Sequence, residues 1–117
     1  MPTDLQDWED MITFTPLLVT AYSGDMLIGF ARVLTDFVRW GEIYDVVVDD
    51  SFQGKGIGTE LIKQLIDHEA VSRVRTFSLG ASPGESFFYE RLGFRKVTDL
   101  GGEYFILVRK ERDRELE

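Results

Sequence analysis

The chain has 117 residues and a mass of 13.4 kDa; 44% of it is hydrophobic and 29% charged, with a formal net charge of −8 and a pI near 4.6. This length suits one domain spanning residues 1–117, and the acidic balance opposes general attraction to nucleic acid or to anionic lipid. No apolar stretch is long enough to cross a bilayer, there is no cysteine to build a disulfide framework, and a single histidine offers no metal-ligand cluster.

The opening "MPTDLQDWED" has no basic region followed by an apolar run, so a cytoplasmic protein is expected. Trp8, Met11 and Ile12 among acids predict a short amphipathic helix within residues 1–16, ended before Pro16. From Leu17, "LLVTAY" and "MLIGFARVLTD" read as two antiparallel strands joined at Ser23-Gly24-Asp25. Phe37 to Gly41 reads as a connection, and Glu42 to Val48, rich in β-branched residues, as a third strand ending at Asp49-Asp50-Ser51.

Directly after it comes "QGKGIG", Gln53 to Gly58, and then Ile57, Leu61, Ile62, Leu65 and Ile66 recur at helical spacing as far as His68. His68 is expected to cap that helix or to be solvated. "RVRTFSLG" predicts another strand, "GESFFYERLG" a short helix closed by Gly93, and "FRKVTD" with "EYFILVRK" a last strand pair around Gly101-Gly102. Residues 110–117 read as a charged, solvated tail. The order ββ-β-α-β-α-ββ implies an α/β (α+β) domain with a mixed, mostly antiparallel sheet and one parallel crossover around the glycine loop.

A strand that ends in a glycine-rich turn and enters a helix presents unpaired N–H groups at the positive end of the helix dipole. Such a turn can hold a pyrophosphate without much net positive charge, because glycine puts no Cβ in the way. Two familiar phosphate loops do not fit. Lys55 is followed by Gly56 rather than Ser or Thr, and the spacing from Gly54 to Gly58 is G-x-G-x-G rather than G-x-G-x-x-G. A tight turn serving only strand–helix packing is the plainer alternative.

Gln53-x-x-Gly56-x-Gly58 after Val46-Val47-Val48 resembles the acetyl-CoA loop of the GNAT superfamily of N-acetyltransferases. "FFYERLGF", Phe87 to Phe94, is similar to that family's tyrosine-bearing helix and following strand, and "GFARVLTD" to its preceding hairpin strand. The likeness runs from about Leu17 to Val108. It implies a sheet with a splayed pair of strands, acetyl-CoA as cosubstrate, no metal, and transfer of acetyl to a primary amine of a small molecule or peptide by direct attack.

The resemblance gives Val46, Val47 and Val48 to the strand that pairs with pantetheine. It gives Gln53, Gly54, Lys55, Gly56, Ile57, Gly58 and Thr59 to the pyrophosphate. Ser82 would contact the cofactor, although "GASPGES" lacks the asparagine and alanine frequent there. Tyr89 falls where the family commonly places the acid for the departing thiolate; as a side chain it also reads as part of a packing cluster with Phe87 and Phe88. Glu42 matches the base glutamate of the histone-acetylating branch; a surface carboxylate is its bland reading. Regular alternation would put Glu42, Tyr44, Val46 and Val48 on one face and Asp45 on the other, an arrangement that a bulge would alter. Trp8 and Trp40 read as acceptor-pocket walls or as core. Against the family's usual strand and two helices before the hairpin, the first sixteen residues are few, which implies an open acceptor side or one completed in a homodimer. A non-catalytic acyl-CoA-binding or regulatory module is the alternative function, and an interaction protein with a purely structural loop a third.

Overall fold

The computed structural model describes residues 4–81, 84–97 and 104–109. Helix α1 (Leu5–Thr13) starts at Asp4, whose carboxylate accepts the Asp7 N–H at 2.9 Å, and ends at Phe14, short of Pro16 as its sequence predicts. None of its residues is fully buried. Trp8 is its anchor, meeting Phe30 edge to face with ring centroids 6.5 Å apart.

Strands β1 (Leu17–Ser23) and β2 (Met26–Thr35) form the expected hairpin. β3 (Trp40–Val48) pairs antiparallel with β2 and starts two residues earlier than its β-branched run suggests. The chain then forms a short 3-10 turn (Asp50–Phe52), the glycine loop and helix α2 (Ile57–Ile66), and returns as β4 (Thr76–Gly80), parallel to β3. Helix α3 (Ser86–Arg91), β5 (Arg95–Lys96) and β6 (Tyr104–Val108) complete a six-stranded sheet in the order β1-β2-β3-β4-β6-β5. Its one parallel contact is the crossover through α2; the turn expected at Gly101-Gly102 lies outside the described residues.

The core lies between the sheet and α2. Ala31, Val33, Ile43, Phe77, Leu79 and Phe105 face Leu61, Ile62 and Leu65, all shielded from water. His68 does not end α2, which Asp67 caps; its Nδ1 accepts the Ala70 N–H at 3.0 Å and opens the next 3-10 turn, Glu69–Val71. Arg109, just after β6, donates to the carbonyl oxygens of Ile66, Val71 and Val74 and stacks over Phe77, so one guanidinium ties the end of α2 and the following turn to the sheet.

Gly41 is required by a neighbour rather than by its backbone. A Cβ there would lie 2.8 Å from two ring carbons of fully buried Phe77, its partner across β4, and 3.1 Å from Val33. Gly41→Ala is expected to lower the unfolding free energy by about 2 kcal/mol, read in urea denaturation, because neither ring nor strand has space to yield.

Two features open the sheet beside the glycine loop. Pairing of β3 with β4 runs from Trp40 opposite Thr76 to Ile43 opposite Leu79 and stops there, so among the described residues β3 beyond Ile43 has no strand partner on that side. On the other side, Tyr44 pairs with Arg32 but Val47 with Phe30, so Asp45 and Val46 together oppose Ala31. This is a bulge, and Asp45 turns through it with φ +54°.

An added residue reverses the parity of a strand, and that corrects the single-face expectation for Glu42, Tyr44, Val46 and Val48. Val46 and Val48 pack toward α2 and the core. Asp45 joins the face of Glu42 and Tyr44 instead of opposing it, its carboxylate 2.6 Å from the Arg32 guanidinium that also lies over the Tyr44 ring. Arg32 in turn donates to Thr15 Oγ1, and Thr15 to the Met11 carbonyl, which joins the bulge to the end of α1.

Candidate active site

The loop between β3 and α2 is built to leave donors unused. Asp49 Oδ1 accepts the Ser51 N–H at 2.9 Å, starting the 3-10 turn. The Gln53 side-chain amide donates to the Val48 carbonyl at 3.0 Å and to Asp50 Oδ1 at 3.1 Å, tying the loop back onto its own strand. Gly54 and Gly56 both have positive φ, +78° and +83°, which L residues rarely adopt, and open space lies where a Cβ would stand. Gly56 is the N-cap of α2 and supplies no side-chain bond, so the first-turn amides of Ile57, Gly58 and Thr59 have no capping acceptor from it.

A cleft of about 540 Å³ lies against these amides, lined by Val46, Val48, Gln53, Gly54, Gly56, Ile57, Gly58 and Thr59, with Phe88 and Arg91 from α3 opposite. Phe88 rests against Gly58, 3.5 Å from where a Cβ would be. Of the expected loop residues, Lys55 stands off the cleft over the Phe52 ring, and Ser82 lies outside the described residues. Val47 lines a second cavity instead, a consequence of the bulge. The Asp49 N–H bonds to Ile28 O on the β2 side, so by alternation Val48 turns its main chain to the unpaired side, where its carbonyl takes the Gln53 amide.

The second cavity, about 580 Å³, opens where β3 and β4 part and is lined by Glu42, Tyr44, Asp45, Val46, Val47, Leu79, Gly80, Glu85 and Tyr104 among others. Tyr89 borders both spaces. Its ring is wedged among Phe88, Phe94 and Phe105, with centroids 4.8, 6.0 and 6.0 Å away. Burial, with the Glu85 carboxylate adding to it, pushes the phenol up to about 12, so it is a protonated donor throughout the neutral range. Phe87, by contrast, is exposed and takes no part in this cluster.

Glu42 is held by residues that sequence patterning did not single out. Ser78, on β4 directly across from Glu42 and fully buried, donates through Oγ to Glu42 Oε1. The Tyr104 hydroxyl donates to the same oxygen at 2.7 Å, and the Trp40 indole N–H donates to Ser78 Oγ at 2.7 Å. Burial raises the Tyr104 phenol; a hydrogen bond with Ser78 works against this, while the hydrogen bond to Glu42 and its charge add to it. Trp40 is thus bonded to Ser78 on the paired rungs next to the splay, while Trp8 packs α1 on β2. The available sequence signal for Ser78 was a lone polar residue between Phe77 and Leu79 in a buried strand; for Tyr104 there was none beyond its aromaticity.

Comparison with known proteins agrees with this construction. The sequence profile of the acetyltransferase (GNAT) domain matches residues 3–107. The uncharacterized N-acetyltransferase ycf52 of Pyropia yezoensis is 41% identical over 73 residues, 62% of this chain and 42% of that protein. The GCN5-related N-acetyltransferase 1, chloroplastic, of Arabidopsis thaliana is 36% identical over 88 residues, 74% of this chain and 44% of that protein. The chain thus spans about two-fifths of the length of the curated relatives it matches. A GNAT family acetyltransferase from Elizabethkingia anophelis, solved with acetyl-CoA bound, shares the fold at 20% identity and a TM-score of 0.71, covering 90% of this chain and 83% of that one. With a splayed, six-stranded sheet, a glycine loop opening a helix beside the splay, and a family profile spanning nearly its whole length, the chain belongs to the GNAT superfamily of N-acetyltransferases.

Proposed function

We propose that the protein transfers the acetyl group of acetyl-CoA to a primary amine of a small molecule or peptide. The observation that carries this reading is the uncapped, glycine-entered start of α2 facing a cleft that continues into the splay of β3 and β4. Its amides suit a pyrophosphate, Arg91 adds a cation on the far wall, and the main chain of Val46 and the Val48 N–H, on the side away from β2, suit the amides of an extended pantetheine. That the Elizabethkingia protein holds acetyl-CoA on the same fold supports the choice of cosubstrate.

On this reading the amine nitrogen attacks the thioester carbonyl carbon from the Glu42 side, and its proton passes to the Glu42 carboxylate, directly or through water. A main-chain N–H near the bulge stabilises the developing oxyanion, an interaction ordinarily worth about 3 kcal/mol. The C–S bond then breaks, and the Tyr89 hydroxyl meets the departing thiolate. A second copy completing the acceptor side is part of the proposal, and sedimentation showing a concentration-independent monomer would remove it. So is a cytoplasmic setting, although the Arabidopsis relative is chloroplastic by name; among the described residues no helix is long and apolar enough to cross a membrane.

The test is calorimetric titration of acetyl-CoA followed by a product assay on a panel of amines. Micromolar binding with acetylated product is the expected result. Binding without product from any amine would favour the acyl-CoA-binding module, and no binding would leave the loop a structural turn.

A further inference from the structure

The hydrogen bonds around Glu42 converge on one of its oxygens, and Ser78 and Tyr104, which both reach it, are also within hydrogen-bond contact of each other. An indole nitrogen can donate but not accept, so Ser78 Oγ receives the Trp40 N–H, and an ionised carboxylate can only accept, so in the Ser78–Glu42 contact the hydroxyl donates to Oε1. The Tyr104 hydroxyl delivers a second proton donor to that oxygen. Both donors come from strands on the far side of the splay, β4 and β6, while Glu42 and Trp40 belong to β3. The set therefore spans the last paired rungs of β3 and β4, immediately before the strands part.

Ser78 stands in β4 between Phe77 and Leu79, all three buried, and an alanine would fill its place without needing any partner. A buried hydroxyl there is otherwise an expense, and its geometry is explained by the carboxylate it touches.

We propose that Trp40, Ser78 and Tyr104 are positioning residues that hold Glu42 by Oε1 and turn Oε2 to the acceptor nitrogen. This rests on the reading of Glu42 as the base. Ser78 and Tyr104 keep their protons throughout. The amine's proton goes to Glu42 as the N–C bond forms, and the C–S electron pair leaves with the thiolate.

A double-mutant cycle tests it, with acetyl-CoA and an N-terminally blocked peptide carrying one lysine, putrescine or tyramine as acceptor, whichever turns over fastest. Ser78→Ala and Tyr104→Phe are each expected to lower kcat about tenfold while the acetyl-CoA Kd, measured by calorimetry, stays unchanged. In a Glu42→Gln background the same changes should cost less than about twofold, since the group they position is gone. Equal losses in both backgrounds, or full activity in both single variants, would overturn the positioning role while leaving Glu42 in place. Full activity of Glu42→Gln, or no transfer by the unaltered protein to any of the three acceptors, would remove the base reading and this inference together. Should Ser78→Ala fail to fold, the Tyr104→Phe arm decides alone, because it keeps the ring and its packing.

Discussion

Gly56→Asp is expected to raise the Kd for acetyl-CoA at least about 100-fold, with Gly56→Asn staying within about tenfold of the unaltered protein. Two effects act together in the aspartate. Its carboxylate would stand at the uncapped start of α2, where it can accept the first-turn amides that the ligand needs. It would also face the pyrophosphate: two unit charges about 5 Å apart at an effective dielectric constant of about 20 repel by about 3 kcal/mol, and each 1.4 kcal/mol is a factor of ten. Asparagine has nearly the same shape and the same tolerance of positive φ, so the φ of +83° at Gly56 is handled alike by both variants. The comparison isolates charge from conformation. Calorimetry with acetyl-CoA reads the result, and equal binding by both variants would place the cofactor elsewhere.

The parts of the fold that were legible share a local cause. Alternating β-branched runs, the Gly24-Asp25 turn, the 3.6-residue recurrence of Ile57, Leu61, Ile62 and Leu65, and Gly93 after a short apolar helix are all written within a few residues of where they act. The glycine loop was legible for the same reason, since positive φ and an uncapped helix start are properties of the loop itself.

The bulge at Asp45 was not, because it is a relation between β3 and β2 that no single stretch records. A bulge is conceivable in any such strand, but nothing in "EIYDVVV" marks the added residue until the β2–β3 register and the Arg32–Asp45 ion pair are seen. Its consequence is large: one residue of slip sends Val46 and Val48 to the cleft beside the glycine loop and leaves Glu42 and Tyr44 lining the second cavity. The Glu42 partners were hidden likewise. Ser78 and Tyr104 lie 36 and 62 residues away in the chain and meet Glu42 only through sheet pairing.

Tyr89→Phe is expected to lower kcat about 100-fold and to leave the acetyl-CoA Kd within about twofold, because phenylalanine keeps the contacts with Phe88, Phe94 and Phe105 and loses only the hydroxyl. The raised phenol decides what that hydroxyl can do. An alkyl thiol ordinarily titrates near 8.5, so complete transfer of a proton from a group near 12 is uphill by roughly 3.5 units, or about 5 kcal/mol. The phenol therefore acts mainly as a strong hydrogen-bond donor to sulfur as charge develops, and the thiolate can take its final proton from solvent. A donor of that kind is worth about two orders of magnitude, the loss expected here. Turnover intact in Tyr89→Phe would show that the reaction does not use this hydroxyl.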